Sequence, residues 1–536
     1  MLDDGEVLRS SELSTRSTHL PRGNSVHSVH SDLPVPGTFR KSLLQDIDEE
    51  KITFYQLCSN MILSIIGTVV LGIYAQIRIG GWILAPAVII VGFLIISEMT
   101  SIVSQTIDAL NASGEDVISY QDFAGGALGK WGRNVSSVTS TLALMGMICN
   151  GLILEAQNLQ FATNLDLPGI IPCPGCSKHE RGNHFWAIML SLTTVFYVSV
   201  DFGALLKKLA FIGPFVCLFC VVFAIAGGIM ANVDLVNFPE SCRDAPTPYT
   251  NLGPEFGSGS AGLDAVLKVS SIASYGFYCF AVVVTVPSLK GQMQVPSQVV
   301  KASVSAYGVC TTVLLLIMLI AYAGFGNLGP DNLIDGMRGS RPAGWWALVL
   351  PWQTGTESVL GKLFAWMIIC NLLLTDGIYV PVTALAIEGW APKFFGGSKV
   401  ARIIMRSGLV LARLAVATEV TSFIDMTNLT SAAFCICNNI LIPLISFYVM
   451  GERVQKPPMW RKVMHGAIFI FGVVVAVFGS TGALKNIITN PASSSTTPGA
   501  AMRPGLSEAC KIAYNETQKF VLEVSVATAD LDLSLI

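Results

Sequence analysis

Eleven long apolar segments run through this chain of 536 residues, and they constrain its fold more than any other feature. Each has about 20 residues or more, which is the length that a helix needs to cross about 30 Å of hydrocarbon. Lipid offers no hydrogen bonds to the backbone, so such segments must be helical. The segments lie at about 53–77, 83–107, 135–161, 184–203, 209–231, 263–286, 302–325, 358–386, 404–422, 427–450 and 463–484. The sequence therefore predicts an all-α integral membrane protein with eleven transmembrane helices.

Composition agrees with this class and disfavours several others. Hydrophobic residues make up 52% of the chain and charged residues 13%, whereas soluble domains carry about 25% charged residues. A net charge of −3 gives no basic surface for nucleic acid. No histidine falls near the middle of a segment and no phosphate-binding loop is present, which disfavours a membrane enzyme, a metal site and an ATP-driven pump. We expect no enzyme activity, no metal and no cofactor.

The distribution of Lys and Arg predicts the orientation. With the N-terminus in the cytoplasm, the inner flanks of the segments carry seventeen basic residues and the outer flanks seven, or nine with Lys268 and Lys362. Basic residues collect on the cytoplasmic side of membrane proteins. We therefore predict a disordered, Ser-rich cytoplasmic tail at 1–51 without a cleaved signal peptide, a membrane domain at 52–484 and an extracytoplasmic tail at 485–536.

Two modifications are expected on the outer side. Cysteines there can oxidise, and the predicted pair joins Cys173 or Cys176 to Cys242. A thioredoxin-like role for the CPGC motif is less favoured because no βαβ pattern surrounds the motif, and a zinc site with His179 is less favoured still. Asn515 begins a glycosylation sequon in the outer tail.

The first apolar segment is interrupted by Gly67 and Gly72. Glycine weakens a helix and lets another backbone or a ligand approach closely. An interrupted membrane helix points to the binding site of a secondary transporter. The alternative is that the two glycines are packing notches between neighbouring helices.

Five motifs in order resemble the amino acid/auxin permease family. They are SIIGTVVLGIYAQIRIGGW (64–82), SYQDFAGGALGKWGR (119–133), VPSLKGQMQVPSQ with AYAGFG (286–298 and 321–326), IPLISFYVM (442–450) and AIFIFGVVVAVFGSTGAL (467–484). The phrase PSLKGQMQVPS is most similar to the vesicular inhibitory amino acid (GABA/glycine) branch. The resemblance covers about 52–484.

The resemblance implies a fold and a function. The fold has two inverted five-helix repeats, with helices one and six broken at the midplane, and one extra C-terminal helix. The function is transport of amino acids, usually coupled to protons. Broken helices can hold the substrate's carboxylate and ammonium groups. The implied substrate-binding residues are Gly67, Thr68, Val69, Val70, Gly72, Ser274, Tyr275, Gly276, Tyr278 and Cys279.

This sequence departs from the family pattern at several positions. Val69 stands where the family has a second glycine, and Tyr74 stands where it has a proline. Ala281, Val282 and Val283 replace small polar residues. We therefore expect a milder break in helix one, and a less polar pocket that suits a larger apolar amino acid.

Several charged residues lie inside the predicted spans, where an ionisable group is a functional candidate. Asp376 lies near the middle of helix eight, with Asn371 and Thr375 nearby. Burial favours the neutral form of a carboxyl group, so Asp376 and Glu155 are candidates for proton coupling; a hydrogen-bonded structural role for Asp376 is the alternative. Arg413 is deep in helix nine and is expected to pair with Asp376 or Glu155. Glu98 is expected to extend toward the cytoplasm.

Together these features predict a proton-coupled amino acid transporter in the lipid bilayer. Its partners are an amino acid and protons, with a monomer as the default. A vesicle, vacuole or lysosome membrane is favoured over the plasma membrane. The alternative is a transport-inactive membrane sensor or scaffold with the same fold, motivated by the lost polar residues at 281–283. A channel is disfavoured because no pore-loop motif is present.

Overall fold

The computed structural model describes residues 51–163, 178–199, 213–234, 252–253, 262–325, 333, 359–388, 390, 399–420 and 422–489. All of them belong to one compact unit, 48–536. The predictions for the N-terminal tail, for Cys173, Cys176 and Cys242, and for Asn515 lie outside the described residues.

The described backbone is almost entirely helical. Twelve α-helices are numbered here in chain order: α1 Phe54–Ala112, α2 Tyr120–Thr163, α3 Lys178–Ser199, α4 Gly213–Asp234, α5 Leu263–Cys279, α6 Val286–Gln292, α7 Val299–Phe325, α8 Val359–Glu388, α9 Lys399–Glu419, α10 Phe423–Thr430, α11 Ile442–Met450 and α12 Met459–Thr489. Short 3₁₀ turns occupy Val283–Thr285, Pro296–Gln298 and Gly451–Arg453.

Seven helices within the described residues are long and apolar enough to span a membrane. They are Val69–Ala112, Tyr120–Thr163, Ala265–Gln292, Pro296–Gly324, Gly361–Glu388, Phe423–Arg453 and Met459–Thr489. Two shorter apolar helices are Phe54–Gly67 and Phe215–Ile229. The protein is therefore a multi-pass membrane protein, and the count of eleven crossings stays a prediction.

Helix α1 covers the first two predicted spans and bends at Gly81. This residue has φ 68° and ψ −174°, a conformation outside the helical region that glycine adopts without steric cost. The capping box formed by Thr53 and Gln56 fixes the start of α1, because each side chain hydrogen-bonds the other's backbone N–H.

The prediction of a break between Gly67 and Gly72 is wrong. Helix α1 departs from helical backbone angles at Gly81, whereas residues 67–72 are helical. Val69 and Tyr74 explain this difference, because they stand where the family has a glycine and a proline. Unlike proline, Tyr74 keeps its backbone N–H and does not clash with the preceding turn.

The sixth span is interrupted after Cys279, and not at Ser274, Tyr275 and Gly276, where the resemblance implied that the break begins; those residues are helical. The N–H of Phe280 donates to the carbonyl oxygen of Phe277, and that of Ala281 donates to Tyr278, so the last turn of α5 tightens. The chain continues through the 3₁₀ turn Val283–Thr285, and Pro287 lies in the first turn of α6. Proline is favoured there because the first helical turn lacks partners for its N–H groups.

The tenth span contains two π-helical segments, Ser431–Cys435 and Cys437–Leu441, between α10 and α11. Hydrogen bonds join this region to α5. The Ser274 hydroxyl donates to the carbonyl oxygen of Asn428 (2.9 Å), and the Ser431 hydroxyl donates to that of Ser274 (2.5 Å). Segments of π-helix are often found near functional sites, and here Ser431 joins the first of the two segments to α5.

The far end of the broken span is held by Ile52, just before α1, and by the second half of α1. The N–H of Ile52 donates to the carbonyl oxygen of Gln292 (2.9 Å), and the N–H of Gln294 donates to that of Ile52 (3.1 Å), which forms a parallel bridge between Ile52 and Met293. The buried Lys290 ammonium contacts Asp108 (2.7 Å) and the Ser104 hydroxyl (2.8 Å). These contacts fix α6 against the residue that precedes α1 by two positions and against the second half of α1.

Candidate functional site

A pocket lies beside the break between α5 and α6. Its empty volume is about 580 Å³, including its opening. Helices α1, α2, α5 and α8 and the broken backbone after Cys279 form its walls. The lining residues are Ser64, Gly67, Val69, Met147, Gly151, Tyr278, Cys279, Ala281, Val282, Leu372, Thr375, Asp376 and Tyr379. Ligand pockets in transporters built on broken helices lie at such a junction.

The polar groups of the pocket are few and are concentrated on α1, α5 and α8. Asp376 provides the single carboxylate of the lining, and Ser64, Thr375, Tyr278 and Tyr379 provide hydroxyl groups. The Tyr379 hydroxyl is hydrogen-bonded to Ser64, and the Thr375 hydroxyl donates to the carbonyl oxygen of Asn371 (2.8 Å). A mostly apolar cavity with a few placed polar groups is typical of small-molecule sites.

Behind the pocket wall, Asp376 belongs to a buried charge triad with Arg413 and Glu155. The Arg413 Nη2 atom is hydrogen-bonded to Oδ2 of Asp376 and lies 3.5 Å from Oε2 of Glu155. Its Nε atom donates to the carbonyl oxygen of Ile148 (2.7 Å). The exposed fractions are 0% for Arg413, 1% for Glu155 and 9% for Asp376. Arg413 therefore pairs with both carboxylates that the sequence offered as partners.

Gly151 makes room for this triad. A Cβ atom at Gly151 would lie 2.8 Å from Oδ1 of Asp376 and 3.7 Å from Nη2 of Arg413. The first distance is shorter than real Cβ contacts, so the carboxylate occupies the space that a side chain would fill. Glycine at this position lets α2 approach α8 closely enough for Asp376 to reach both the pocket and Arg413.

Six of the predicted site residues line the pocket: Gly67, Val69, Tyr278, Cys279, Thr375 and Asp376. Asn371 lies just behind Gly67, where a Cβ atom would be 3.0 Å from its Nδ2 atom. The thiol of Cys217 donates to Oδ1 of Asn371 at 3.4 Å.

The other predicted residues of the first and sixth spans make contacts between helices. The Tyr275 hydroxyl donates to the carbonyl oxygen of Val69 (3.0 Å), and Ser274 bonds the tenth span as described above. A Cβ atom at Gly72 would press against the ring of Tyr275, and one at Gly276 would lie 2.9 Å from Cγ1 of Val88. Both glycines therefore serve as packing notches. Val70 is fully buried, and the side chain of Thr68 lies outside the described residues.

Sequence reasoning missed Ser64, Met147, Gly151, Leu372 and Tyr379. Helical spacing offered a signal for three of them. Leu372 and Tyr379 lie four residues before and three residues after Asp376, and Gly151 lies four residues before Glu155, so each shares a helix face with a predicted residue. The proximity of α2 to α8 depends on the tertiary fold.

No cluster of three or more His, Cys, Asp or Glu side chains in the described ranges is arranged to hold a metal ion. The chemistry that the pocket offers is therefore that of one carboxylate, several hydroxyls and an apolar wall.

Solved transporter structures show a similar fold. The inward-facing structure of Mhp1 matches with a TM-score of 0.51 and 13% identity, covering 83% of this chain and 91% of Mhp1. A manganese transporter of Eremococcus coleocola matches with a TM-score of 0.50 and 11% identity, covering 94% of this chain and 95% of that one. At these identities the likeness concerns the fold alone.

Sequence relatives are named as amino acid transporters. Amino acid transporter AVT1B of Arabidopsis thaliana is 24% identical over 468 residues, which are 86% of this chain and 76% of the relative. Amino acid transporter AVT1C of the same plant is 23% identical over 378 residues, which are 70% of this chain and 60% of the relative. The family model described as transmembrane amino acid transporter protein matches residues 50–485. The chain therefore belongs to the transmembrane amino acid transporter family, whose members are transporters and not enzymes.

Proposed function

We propose that this protein is a secondary active transporter of amino acids that works by alternating access around the pocket beside the broken sixth span. The observation that carries the proposal is the position of this pocket, which places Asp376 of α8 opposite the interrupted backbone that follows Cys279. A break in a membrane helix is tolerated where it borders a cavity, and such a cavity can admit a polar substrate.

The pocket matches the two ends of an amino acid. The free oxygen of Asp376 can bind the ammonium group, as can carbonyl groups at the C-terminal end of α5, where the helix dipole is negative. The Tyr278 hydroxyl can donate to the carboxylate, and those of Thr375 and Ser64 can do so by turning away from the carbonyl oxygens of Asn371 and Asn60, to which they donate in this structure. Val69, Met147, Ala281, Val282 and Leu372 form the apolar part of the wall, which favours an apolar side chain.

Proton coupling is the second element of the proposal, and Asp376 and Glu155 are its candidates. Both carboxylates are buried and share a single arginine. An ionised carboxylate away from water is costly unless it is paired, so a second positive charge is favoured in this cluster. A proton is the smallest charge that can supply it.

The remaining features of the proposal follow from the sequence. The transporter has eleven helices in two inverted five-helix repeats plus one extra helix, its N-terminus is cytoplasmic, and it works as a monomer. The outer side carries a disulfide from Cys173 or Cys176 to Cys242 and a glycan at Asn515. The phrase at 287–297 supports a vesicle, vacuole or lysosome membrane.

Reconstitution into proteoliposomes tests the function. We expect uptake of a mixture of radiolabelled proteinogenic L-amino acids when a pH gradient is imposed, and much less uptake after a protonophore collapses it. Omitting single amino acids from the mixture then identifies the substrate. A gradient that drives no uptake of any component would contradict the proposal.

A transport-inactive sensor is the alternative, and the continuous helix around Gly67–Gly72 favours it. Without a break there, the first span keeps its N–H groups in the helix and offers none of them to a substrate. Ligand-induced thermal stabilisation in detergent without flux in proteoliposomes would support the sensor.

A further inference from the structure

We propose that Arg413 is a positioning residue that keeps Asp376 ionised at the pocket wall and leaves Glu155 as the group that carries the proton. This inference rests on the proposed transport function and assigns different roles to the two carboxylates of its site. It starts from the unequal contacts that one guanidinium group makes with two carboxylates.

Asp376 is the closer partner of Arg413. It accepts a hydrogen bond from Nη2 through Oδ2, while its Oδ1 atom lies at Gly151 on the pocket lining. A charge-assisted hydrogen bond of this kind stabilises the ionised carboxylate strongly. Asp376 can therefore keep its negative charge and still present one oxygen to a substrate's ammonium group.

Glu155 is the weaker partner and the more enclosed one. Its Oε2 atom lies 3.5 Å from Nη2 of Arg413, beyond the length of a good charge-assisted hydrogen bond. Its Oε1 atom is buried and has no hydrogen-bond partner among the described residues. Burying an ionised carboxylate oxygen that has no hydrogen-bond partner costs free energy, because the lost hydration is not replaced. Of the two carboxylates, Glu155 is therefore the one that protonation stabilises more.

The charge of the triad determines how many protons it takes. With both carboxylates ionised and the guanidinium positive, the cluster carries one uncompensated negative charge inside the membrane. Binding of one proton from water to Glu155 converts its carboxylate to a carboxylic acid and neutralises the cluster. Release of that proton to water on the other side restores the charge, and no second proton is needed.

Among the described residues, the helices around the triad carry the following further titratable groups. Cys149 of α2 interacts electrostatically with Arg413 and Asp376, and Tyr379 of α8 lines the same pocket as Asp376. On α9 itself, Arg406 is paired with Glu388 at 2.8 Å. Helix α3 packs on α9 and has Arg181 and His184 in its first two turns.

The test compares the pH dependence of substrate binding in purified full-length variants. Binding of the radiolabelled L-amino acid mixture is measured in detergent, and gradient-driven uptake is measured in proteoliposomes. We expect Glu155→Gln to bind the mixture with little pH dependence and to lose gradient-driven uptake by roughly tenfold or more. Asp376→Asn should weaken binding at every pH. Glu419→Gln, at the exposed end of α9, serves as the control and should match the wild type.

The double variant Glu155→Gln/Arg413→Met isolates the role of the arginine. It has the same net charge in the cluster as the fully ionised wild type, but Asp376 has lost its guanidinium partner. Asp376 should then take up protons itself, so binding should regain a pH dependence that Glu155→Gln alone lacks. The single variant Arg413→Lys, which keeps the positive charge, should retain part of the pH dependence of binding that the wild type shows. If the double variant does not fold, the single variants Glu155→Gln and Arg413→Lys still decide.

Three outcomes would overturn the inference. They are an unchanged pH profile in Glu155→Gln, a double variant whose profile equals that of Glu155→Gln, and a wild-type profile in Asp376→Asn with normal binding. Failure of the wild type to show any gradient-driven uptake would instead contradict the proposed transport function, so the two failures can be told apart.

Discussion

The hydroxyl of Tyr275 donates a hydrogen bond to the carbonyl oxygen of Val69 at 3.0 Å, which joins α5 to α1 at a residue of the pocket wall. Both residues are buried. This contact uses a main-chain acceptor within a continuous helix, so it fixes the register between the two helices on opposite sides of the candidate site.

Replacing Tyr275 with Phe should remove this hydrogen bond while it keeps the ring. The expected loss is about 0.5–1.5 kcal/mol, the net contribution of a typical hydrogen bond, and it should appear as a lower thermal unfolding midpoint in detergent. Tyr55→Phe changes a side chain that is 81% exposed and should leave the midpoint unchanged. Equal midpoints for the two variants would show that the contact contributes nothing.

Gly72→Ala should destabilise the protein through overpacking. The new methyl group would press on the Tyr275 ring and lie 3.0 Å from Cε1 of Phe423, and such crowding costs about 1–3 kcal/mol. Gly308→Ala is the matched control, because a Cβ atom there meets nothing within 4 Å. It should stabilise α7 by about 0.5–1 kcal/mol, since alanine loses less backbone entropy than glycine. Opposite shifts of the unfolding midpoint are therefore expected.

Ala281→Phe should fill the pocket at the break. Uptake of the radiolabelled L-amino acid mixture is expected to fall by roughly tenfold or more, while the unfolding midpoint changes little, because the added ring enters a cavity that is already open. Leu316→Phe changes an exposed side chain on α7 and controls for a large aromatic residue in a membrane helix. Undiminished uptake by Ala281→Phe would place the substrate elsewhere.

Glu98→Gln should destabilise the contact between α1 and α12. Oε1 of Glu98 lies 2.6 Å from Nε of Arg461 and 2.8 Å from Nε2 of the buried His465, whose Nδ1 atom is 2.9 Å from the Tyr448 hydroxyl. Weakening an acceptor that two groups share should cost about 1–3 kcal/mol. Glu452→Gln breaks an exposed pair with Lys456 and should shift stability by less than about 1 kcal/mol.

The fold was predictable where it depends on local apolar patterning. The lengths of the apolar segments predicted that they are helical. The family resemblance predicted a break in the sixth span, but one turn before the interruption that follows Cys279. The expected break in the first span failed because Tyr74 and Val69 keep a regular backbone. Both residues were recognised in the sequence as departures from the family pattern, but they led to the prediction of a milder break and not of a continuous helix.

The site was predictable only in part, because its walls come from helices that are distant in sequence. Asp376 and the candidate pairing of Arg413 could be identified, since a charge inside a membrane segment requires a partner. Met147 and Gly151 had no such signal. Glu98 was expected to extend toward the cytoplasm, which stays a prediction; its contacts with Arg461 and His465 on the last helix were not predicted. Helical periodicity carries no information about that contact.

The bridge between Ile52 and Met293 has a consequence for the order of folding. Ile52 is synthesised before all twelve of the helices described above, whereas Met293 follows the sixth apolar segment, after more than half of the chain. Contacts between such distant residues form late, because the intervening chain must first be made and brought together. The backbone groups of Ile52 therefore stay without these partners through half of synthesis, and chains truncated before residue 292 can never complete the bridge.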